Sequence, residues 1–171
     1  MGRTRGIFIN RKLKPMRRNL CVPAALFIVA GAAPLAAQSN DGDKAAVLAV
    51  VTRLFDGMRA GDSAVVRSTF HPSALLSTAL VRQGNAVVET EGIGGFVTAV
   101  GTPHTEVWDE RTRNEQVLLD GALASVWVEY SFYAGSKFSH CGVDAFQLAK
   151  DGADWKILAL ADTRRRTGCV E

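Results

Sequence analysis

Residues 104–165 alternate apolar and polar side chains over most of their length, in the order HTEVWDERTRNEQVLLDGALASVWVEYSFYAGSKFSHCGVDAFQLAKDGADWKILALADTRR. Alternation with a period of two residues is typical of β-strands that bury one face. Three turn signals divide the stretch, namely Asp120-Gly121, Ala134-Gly135-Ser136-Lys137 and Asp151-Gly152-Ala153-Asp154. Such turns join neighbouring antiparallel strands. The stretch therefore predicts a four-stranded antiparallel meander with strands near residues 104–119, 122–133, 138–150 and 155–165.

The preceding residues change to a helical pattern. Val47, Val51, Leu54, Phe55 and Met58 recur at helical spacing, which predicts one amphipathic helix. Residues 38–43 are polar, and we expect them to be loose, with Asp41 or Asp43 capping the helix. Gly61 is expected to end this helix. A short second helix should follow as far as residue 70, then short strands or loops near residues 74–81 and 86–89, and a third helix near residues 92–100. Helices followed by an antiparallel sheet indicate a single α+β domain.

The N-terminus carries all of the basic excess. The whole chain has a formal net charge of +3, but residues 1–37 hold seven Lys or Arg and no Asp or Glu, so 13 basic and 17 acidic residues remain, a net charge of −4. The domain therefore lacks the basic surface of a nucleic-acid-binding protein.

Residues 1–37 have the features of a secretory signal peptide. Arg17 and Arg18 precede an apolar stretch at residues 20–37, and small residues stand before Gln38. Met16 is an alternative start. A membrane anchor is the competing interpretation, but the stretch is short and contains two prolines. We predict cleavage near Ala37–Gln38, a mature domain at residues 38–171 that is periplasmic or secreted, and no membrane association after cleavage.

Two cysteines remain in that mature domain. In an oxidising compartment, Cys141 and Cys169 predict a disulfide. The antiparallel pairing of the last two strands places Cys141 opposite Arg164. Gly168 allows a tight reversal of the chain, which can bring Cys169 back beside Cys141. Two free thiols are the alternative.

The order of these elements and the C-terminal motif resemble a known superfamily. Ala60-Gly61-Asp62, Phe70-His71-Pro72 and the bent meander resemble the nuclear transport factor 2-like superfamily. The segment from Phe138 to Leu148, followed by Trp155-Lys156-Ile157 and Asp162-Thr163-Arg164-Arg165, is similar to its exported branch of putative lumazine-binding proteins. The resemblance implies a cone-shaped fold in which N-terminal helices pack on a curved antiparallel β-meander and leave a pocket. It implies no single function, because the superfamily includes isomerases, dehydratases and transport factors.

Hairpin register predicts which side chains share the pocket. With two-residue turns, one face collects aromatic and polar residues and the other is smooth and apolar. A turn or strand longer by one residue would swap the faces. The residues predicted to bind a ligand are Trp108, Trp127, Glu129, Tyr133, His140, Asp144, Phe146 and Arg164. Tyr130, Phe132, Cys141 and Val143 are expected on the apolar face, against the helices or a second subunit. A bulge at Gly142 is the main way in which this register could fail.

Three functional interpretations stay open. The first is a small-molecule-binding module for a flat heteroaromatic or hydrophobic ligand. The second is a cofactor-independent lyase or isomerase with His140 and Asp144 as acid and base. The third is a structural domain with a filled pocket, dimeric through its sheet. Arg164 either pairs with Asp162 or binds an anionic ligand group. We expect no cofactor and no metal site, because the three histidines are scattered at positions 71, 104 and 140.

Overall fold

The computed structural model describes residues 35–170. The predicted signal peptide, residues 1–37, lies almost wholly outside the described residues, and so does the alternative start at Met16. None of the described helices is long and apolar enough to cross a membrane.

Three helices occupy the positions that the periodicity predicts. Helix α1 spans Leu35–Ala60, α2 spans Ser63–Thr69 and α3 spans Ile93–Gly101. The apolar stripe of α1 is buried, and Leu54 is only 1% exposed. Gly61 ends α1 with φ of +67°, a conformation that glycine adopts without steric cost. Asp62 then caps α2, because its carboxylate accepts hydrogen bonds from the amides of Ala64 and Val65 at 3.0 and 2.9 Å.

The prediction of a loose segment at residues 38–43 is wrong. Helix α1 already includes these residues, so neither Asp41 nor Asp43 is its N-cap. The Asp43 carboxylate instead lies 2.8 Å from Lys150 Nζ and accepts a hydrogen bond from the Trp155 indole. The N-terminal part of α1 therefore contacts β5 and β6 through Asp43.

Six strands form one sheet in the order β2-β1-β6-β5-β4-β3. They are β1 Phe70–Arg82, β2 Asn85–Gly92, β3 Trp108–Asp120, β4 Leu123–Ala134, β5 Lys137–Asp151 and β6 Asp154–Thr163. The predicted meander is confirmed in β3 to β6, whose neighbours pair antiparallel. Strand β1 pairs parallel with β6, so the complete sheet is mixed rather than antiparallel throughout.

The helices cover one face of the sheet. The core cluster contains buried apolar side chains from all three helices and from β1, β4, β5 and β6, and partly buried side chains of β3 pack against it. Its members include Val47, Val66, Val97, Val128, Phe146 and Ile157. Helices, rather than a second subunit, therefore cover the inner, apolar face. We refer to the opposite side of the sheet as the outer face.

The structure contains the predicted disulfide between Cys141 and Cys169, whose Cα atoms are 5.8 Å apart. Cys141 is fully buried, and its backbone pairs with Arg165, one residue beyond the predicted partner. The tail is also bonded to β4, because Ser131 Oγ donates to the carbonyl of Val170 at 2.9 Å.

Candidate functional site

A cavity of about 830 Å³ lies where α1 and α3 meet the sheet. Its apolar lining includes Leu54, Phe55 and Met58 of α1, Phe96 of α3, and Trp108 and Phe132 of the sheet. Its polar lining includes Thr78, Glu110, Tyr130, His140, Asp144, Asp162 and Arg164. A mostly apolar cavity with a few converging polar groups is the usual form of a small-molecule site.

Three β-bulges place those polar residues inside. The register shifts by one residue at Asn114–Glu115 in β3, at Ser139 in β5 and at Leu158 in β6. Each extra residue moves the side chains beyond it to the other face. Without the three bulges, the regular register would turn Glu110, Asp144 and Asp162 away from the cavity.

The same bulges show that the predicted register is wrong for β4. Glu110 pairs with Phe132, His140 also pairs with Phe132, and Asp144 pairs with Val128. Tyr130 and Phe132, expected on the other face, therefore line the cavity with His140 and Asp144. The bulge in β5 lies at Ser139 and not at Gly142. Cys141 and Val143 point away from the His140 side, as expected.

Three of the predicted ligand-binding residues lie on the outer face. Trp127 is 51% exposed there. Glu129 lies 3.2 Å from Arg113 Nε, and the Tyr133 ring packs against Phe138 and under the Arg111 guanidinium. Phe146 is on the inner face, but it is fully buried against Phe55 and belongs to the core. Trp108, His140, Asp144 and Arg164 remain at the cavity.

Glu110 and Asp144 form the centre of the polar lining, and we refer to them as the acid pair. The two carboxyl groups lie close enough for a proton on one of them to be shared with the other as a hydrogen bond. Burial, and secondarily the neighbouring carboxylate of Asp162, raises the pKa of Glu110 to about 7. Burial and the charge of Glu110 raise the pKa of Asp144 well above its usual range. The acid pair therefore holds a proton near neutral pH.

Asp162 and Arg164 lie beside the acid pair in a fixed arrangement. Arg164 Nε donates to Asp162 Oδ2 at 2.7 Å, and Thr78 Oγ1 donates to Asp162 Oδ1 at 2.6 Å. Asp162 also stands opposite Asp144 in the sheet register. Of the two interpretations of Arg164, the structure contains the ion pair with Asp162.

His140 and Tyr130 are held by their neighbours. His140 Nδ1 is 3.0 Å from Ser139 Oγ, and its ring packs 5.0 Å from the ring of Phe132. Burial, then the charge of Arg164, lowers the pKa of His140, so the imidazole is neutral at pH 7. Tyr130 donates its hydroxyl proton to the carbonyl of Thr163 at 2.9 Å. Burial and the nearby carboxylates raise the pKa of Tyr130, which keeps that donor protonated.

Sequence reasoning missed Tyr130 and Phe132 as site residues. It placed Glu110 on the polar, pocket-facing side of β3 with Trp108, as the structure does, but did not single it out. Among the described residues, no group of three or more His, Cys, Asp or Glu side chains is arranged to hold a metal ion. The polar side chains of the described cavity offer proton donation, proton acceptance and ion pairing.

The acid pair leads to a pH-dependent stability prediction. Folding raises the pKa of both groups, so their contribution to stability is complete only below their ordinary pKa values, 3.8 for Asp144 and 4.5 for Glu110, and it is lost as the pH rises. For Glu110 the loss extends through a pH of about 7. Asp144→Asn keeps the shape, removes one titrating group and can donate to Glu110. At pH 8 we expect the free energy of unfolding of the variant to be about 2 kcal/mol larger than that of the parent, so the variant is more stable. This gain should shrink towards pH 4.5.

Urea unfolding at several pH values measures this difference. Asp154→Asn, at the exposed first residue of β6, is the matched control, and its effect on stability should change little with pH. A stability difference for Asp144→Asn that is the same at pH 4.5 and pH 8 would contradict the prediction.

Comparison with known proteins identifies the family. Residues 42–161 match the family model described as "Putative lumazine-binding". The chain belongs to this family. The resemblance to putative lumazine-binding proteins is thereby confirmed, and the fold is that of the nuclear transport factor 2-like superfamily. No curated protein matches the chain.

Solved structures share the fold of this family member at low sequence identity. A protein of unknown function from Mycobacterium tuberculosis is 13% identical with a TM-score of 0.63, covering 77% of each chain. A nuclear transport factor 2-like protein from Novosphingobium aromaticivorans with a cystatin-like fold is 10% identical with a TM-score of 0.62, covering 78% of this chain and 88% of its own. A putative dehydratase from Streptomyces avermitilis is 18% identical with a TM-score of 0.59, covering 75% of this chain and 99% of its own. These similarities establish the fold alone.

Proposed function

We propose that this protein is an exported module that binds a flat heteroaromatic small molecule in the cavity. The observation that carries the proposal is the acid pair, a proton-sharing pair of carboxyl groups at the surface of an otherwise largely apolar cavity. The family description and the fold support small-molecule binding in general.

The chemistry of the cavity suits such a ligand. Trp108, Phe96 and Phe132 supply flat apolar surface for a ring system. A carboxyl pair that shares one proton presents a hydrogen-bond donor and an acceptor side by side. Many heteroaromatic rings have an edge on which an N–H donor stands beside a C=O or ring-nitrogen acceptor. Such an edge is complementary to the donor and acceptor of the carboxyl pair. Lumazine, a pteridinedione, has such an edge and is a fluorescent probe.

Export is part of the proposal for two reasons. The basic and then apolar N-terminus has the order of a signal peptide. The disulfide between Cys141 and Cys169 is of the kind that persists in an oxidising compartment. N-terminal sequencing of protein recovered from the periplasm or the medium should start within a few residues of Gln38, and an intact N-terminus in the membrane fraction would contradict export.

Lumazine binding is tested with two tryptophan variants. Trp108 lines the cavity and stacks on His104 with ring centroids 3.9 Å apart, whereas Trp127 lies on the outer face. We expect lumazine to bind and Trp108→Ala to weaken binding at least tenfold, about 1.4 kcal/mol. Trp127→Ala, the matched control, should bind as the parent does. Lumazine fluorescence titration measures both, and no binding, or equal losses in the two variants, would contradict the proposal.

The acid pair also favours a second candidate function, a cofactor-independent lyase or isomerase. A carboxyl group with a pKa of about 7 can both take and return a proton at neutral pH. In this candidate, Asp144 and Glu110 exchange the proton, and neutral His140 lines the same cavity. Incorporation of solvent deuterium into a retained ligand by the parent, but not by Asp144→Asn, would support catalysis over binding alone.

A further inference from the structure

We propose that the cavity selects a cationic ring ligand, a planar heterocycle with a protonated nitrogen, over neutral and anionic analogues of the same shape. The inference rests on the proposed function and specifies the class of its ligand. It is carried by the charges that line the cavity and by one buried carboxylate oxygen of Asp144 to which no amide, amine or hydroxyl group of the described residues donates.

Acidic groups outnumber basic ones around the cavity. Five carboxyl side chains line it, those of Glu89, Glu91, Glu110, Asp144 and Asp162. Arg164 is the single Lys or Arg in that lining, and its guanidinium is already bonded to Asp162 at 2.7 Å. Glu89 also lies 2.6 Å from Arg82, which is outside the lining. Even with this ion pair and with a proton on the acid pair, the lining keeps an excess of negative charge. A cleft lined by charges of one sign attracts ligands of the other sign.

Asp144 supplies the second observation. The residue is 2% exposed, and no amide, amine or hydroxyl group of the described residues donates a hydrogen bond to its buried Oδ2 atom. Buried polar atoms in folded proteins nearly always have a partner. When the acid pair loses its shared proton, Glu110 no longer donates to Asp144, and a ligand N–H in the cavity that Asp144 lines can supply the missing donor.

The arrangement favours a particular geometry of ligand. A protonated ring nitrogen with an adjacent or conjugated amino group offers charged donors in one plane. Glu110 on β3 and Asp144 on β5 offer the acceptors. Charge-assisted hydrogen bonds of this kind are the stronger ones. The apolar surfaces of α1 and α3 contact the rest of the ring. An anionic group would compete with a carboxylate already in place, because Arg164 Nε is bonded to Asp162 and its Nη2 lies 3.5 Å from Thr78 Oγ1.

Cation binding should depend on pH with a definite sign. A bound cation favours the ionised acid pair, so affinity should rise as the pH increases through the pKa of Glu110, about 7. The titratable groups that line the cavity around the pair are Tyr130 from β4, His140 from β5, Asp162 and Arg164 from the end of the sheet, and Glu89 and Glu91 from β2, while α1 and α3 contribute apolar side chains.

Three quinolines of similar shape test the selectivity. The probes are 4-aminoquinoline, which is cationic, quinolin-4-one, which is neutral, and quinoline-4-carboxylate, which is anionic. Isothermal titration of the purified protein at pH 8 should give an affinity for 4-aminoquinoline at least tenfold above that for quinolin-4-one, with the carboxylate weakest. The affinity for 4-aminoquinoline should fall several-fold between pH 8 and pH 6.

Two variants assign the selectivity to the acid pair. Asp144→Asn should reduce the preference for 4-aminoquinoline over quinolin-4-one to less than threefold. Glu129→Gln, on the outer face, should change neither this preference nor the affinity for quinolin-4-one. Equal affinity for the cation and the neutral probe, or an unchanged preference in Asp144→Asn, would overturn the inference. If lumazine binds without any preference for the cation, only this inference fails. If neither lumazine nor any quinoline binds, the proposed function fails with it.

Discussion

Gly142→Ala should destabilise the protein by about 3 kcal/mol, the upper end of the usual cost of forcing an extra methyl group into a filled site. A Cβ atom at this position would overlap the carbonyl oxygen of Thr163 and lie 2.7 Å from Cε1 of Tyr130. Neither neighbour can easily move, because Tyr130 is 1% exposed and its hydroxyl bonds to that same carbonyl at 2.9 Å. Close approach of another backbone, rather than a bulge, is therefore the reason for glycine in this strand.

Urea unfolding of Gly142→Ala against Gly94→Ala measures this effect. Gly94 lies in α3, and a Cβ atom there would meet nothing within 4 Å. The helix should gain about 0.5–1 kcal/mol from the alanine at Gly94. A Gly142→Ala protein within 1 kcal/mol of the parent would show that the β5–β6 contact can widen without cost.

Cys169→Ser should lower the free energy of unfolding by about 3.5 kcal/mol, the chain-entropy estimate for a loop of this length. The disulfide joins residues 28 positions apart. It also holds the tail whose Val170 carbonyl accepts the hydrogen bond from Ser131. Cys169 is the better site for the substitution, because Cys141 is fully buried and its replacement would also disturb the core.

Reduced parent protein is the control for this comparison. With dithiothreitol present, the parent and Cys169→Ser should unfold at nearly the same urea concentration, and without it the parent alone should be more stable. A difference below 1 kcal/mol under oxidising conditions would contradict the prediction and leave the hydrogen bonds as the main restraint on the tail.

The sequence predicted the elements of the fold well because their signals are local. The apolar stripe of α1, the Gly61-Asp62 junction and the three hairpin turns each depend on residues close together in the chain, and all are present in the structure. The start of α1 was predicted too late. Its first residues are polar, and Asp43 is held by Lys150 and Trp155, which are more than 100 residues away in sequence.

The candidate site was predicted only in part, and the reason is register. The polar alternation of β3 and β5 correctly brought Trp108, His140 and Asp144 to one side, but it assigned Trp127, Glu129 and Tyr133 to the same side of β4. Bulges at Asn114–Glu115 and Ser139 each add one residue, so the two strands shift against β4 together. Tyr130 and Phe132 thereby replace the three expected residues at the cavity.

By itself, the sequence determined the family, the order of helices and meander, and the pair of cysteines that the structure bonds, because these follow from periodicity, turn residues and motifs along the chain. Tertiary structure alone decided that Glu110, Asp144 and Asp162 meet at one cavity. A strand side chain changes face with a shift of one residue, and the bulges that set this shift form where neighbouring strands pair and pack against α1 and α3. The raised pKa values of the acid pair have the same origin, since burial and a neighbouring carboxylate exist only after the chain has folded.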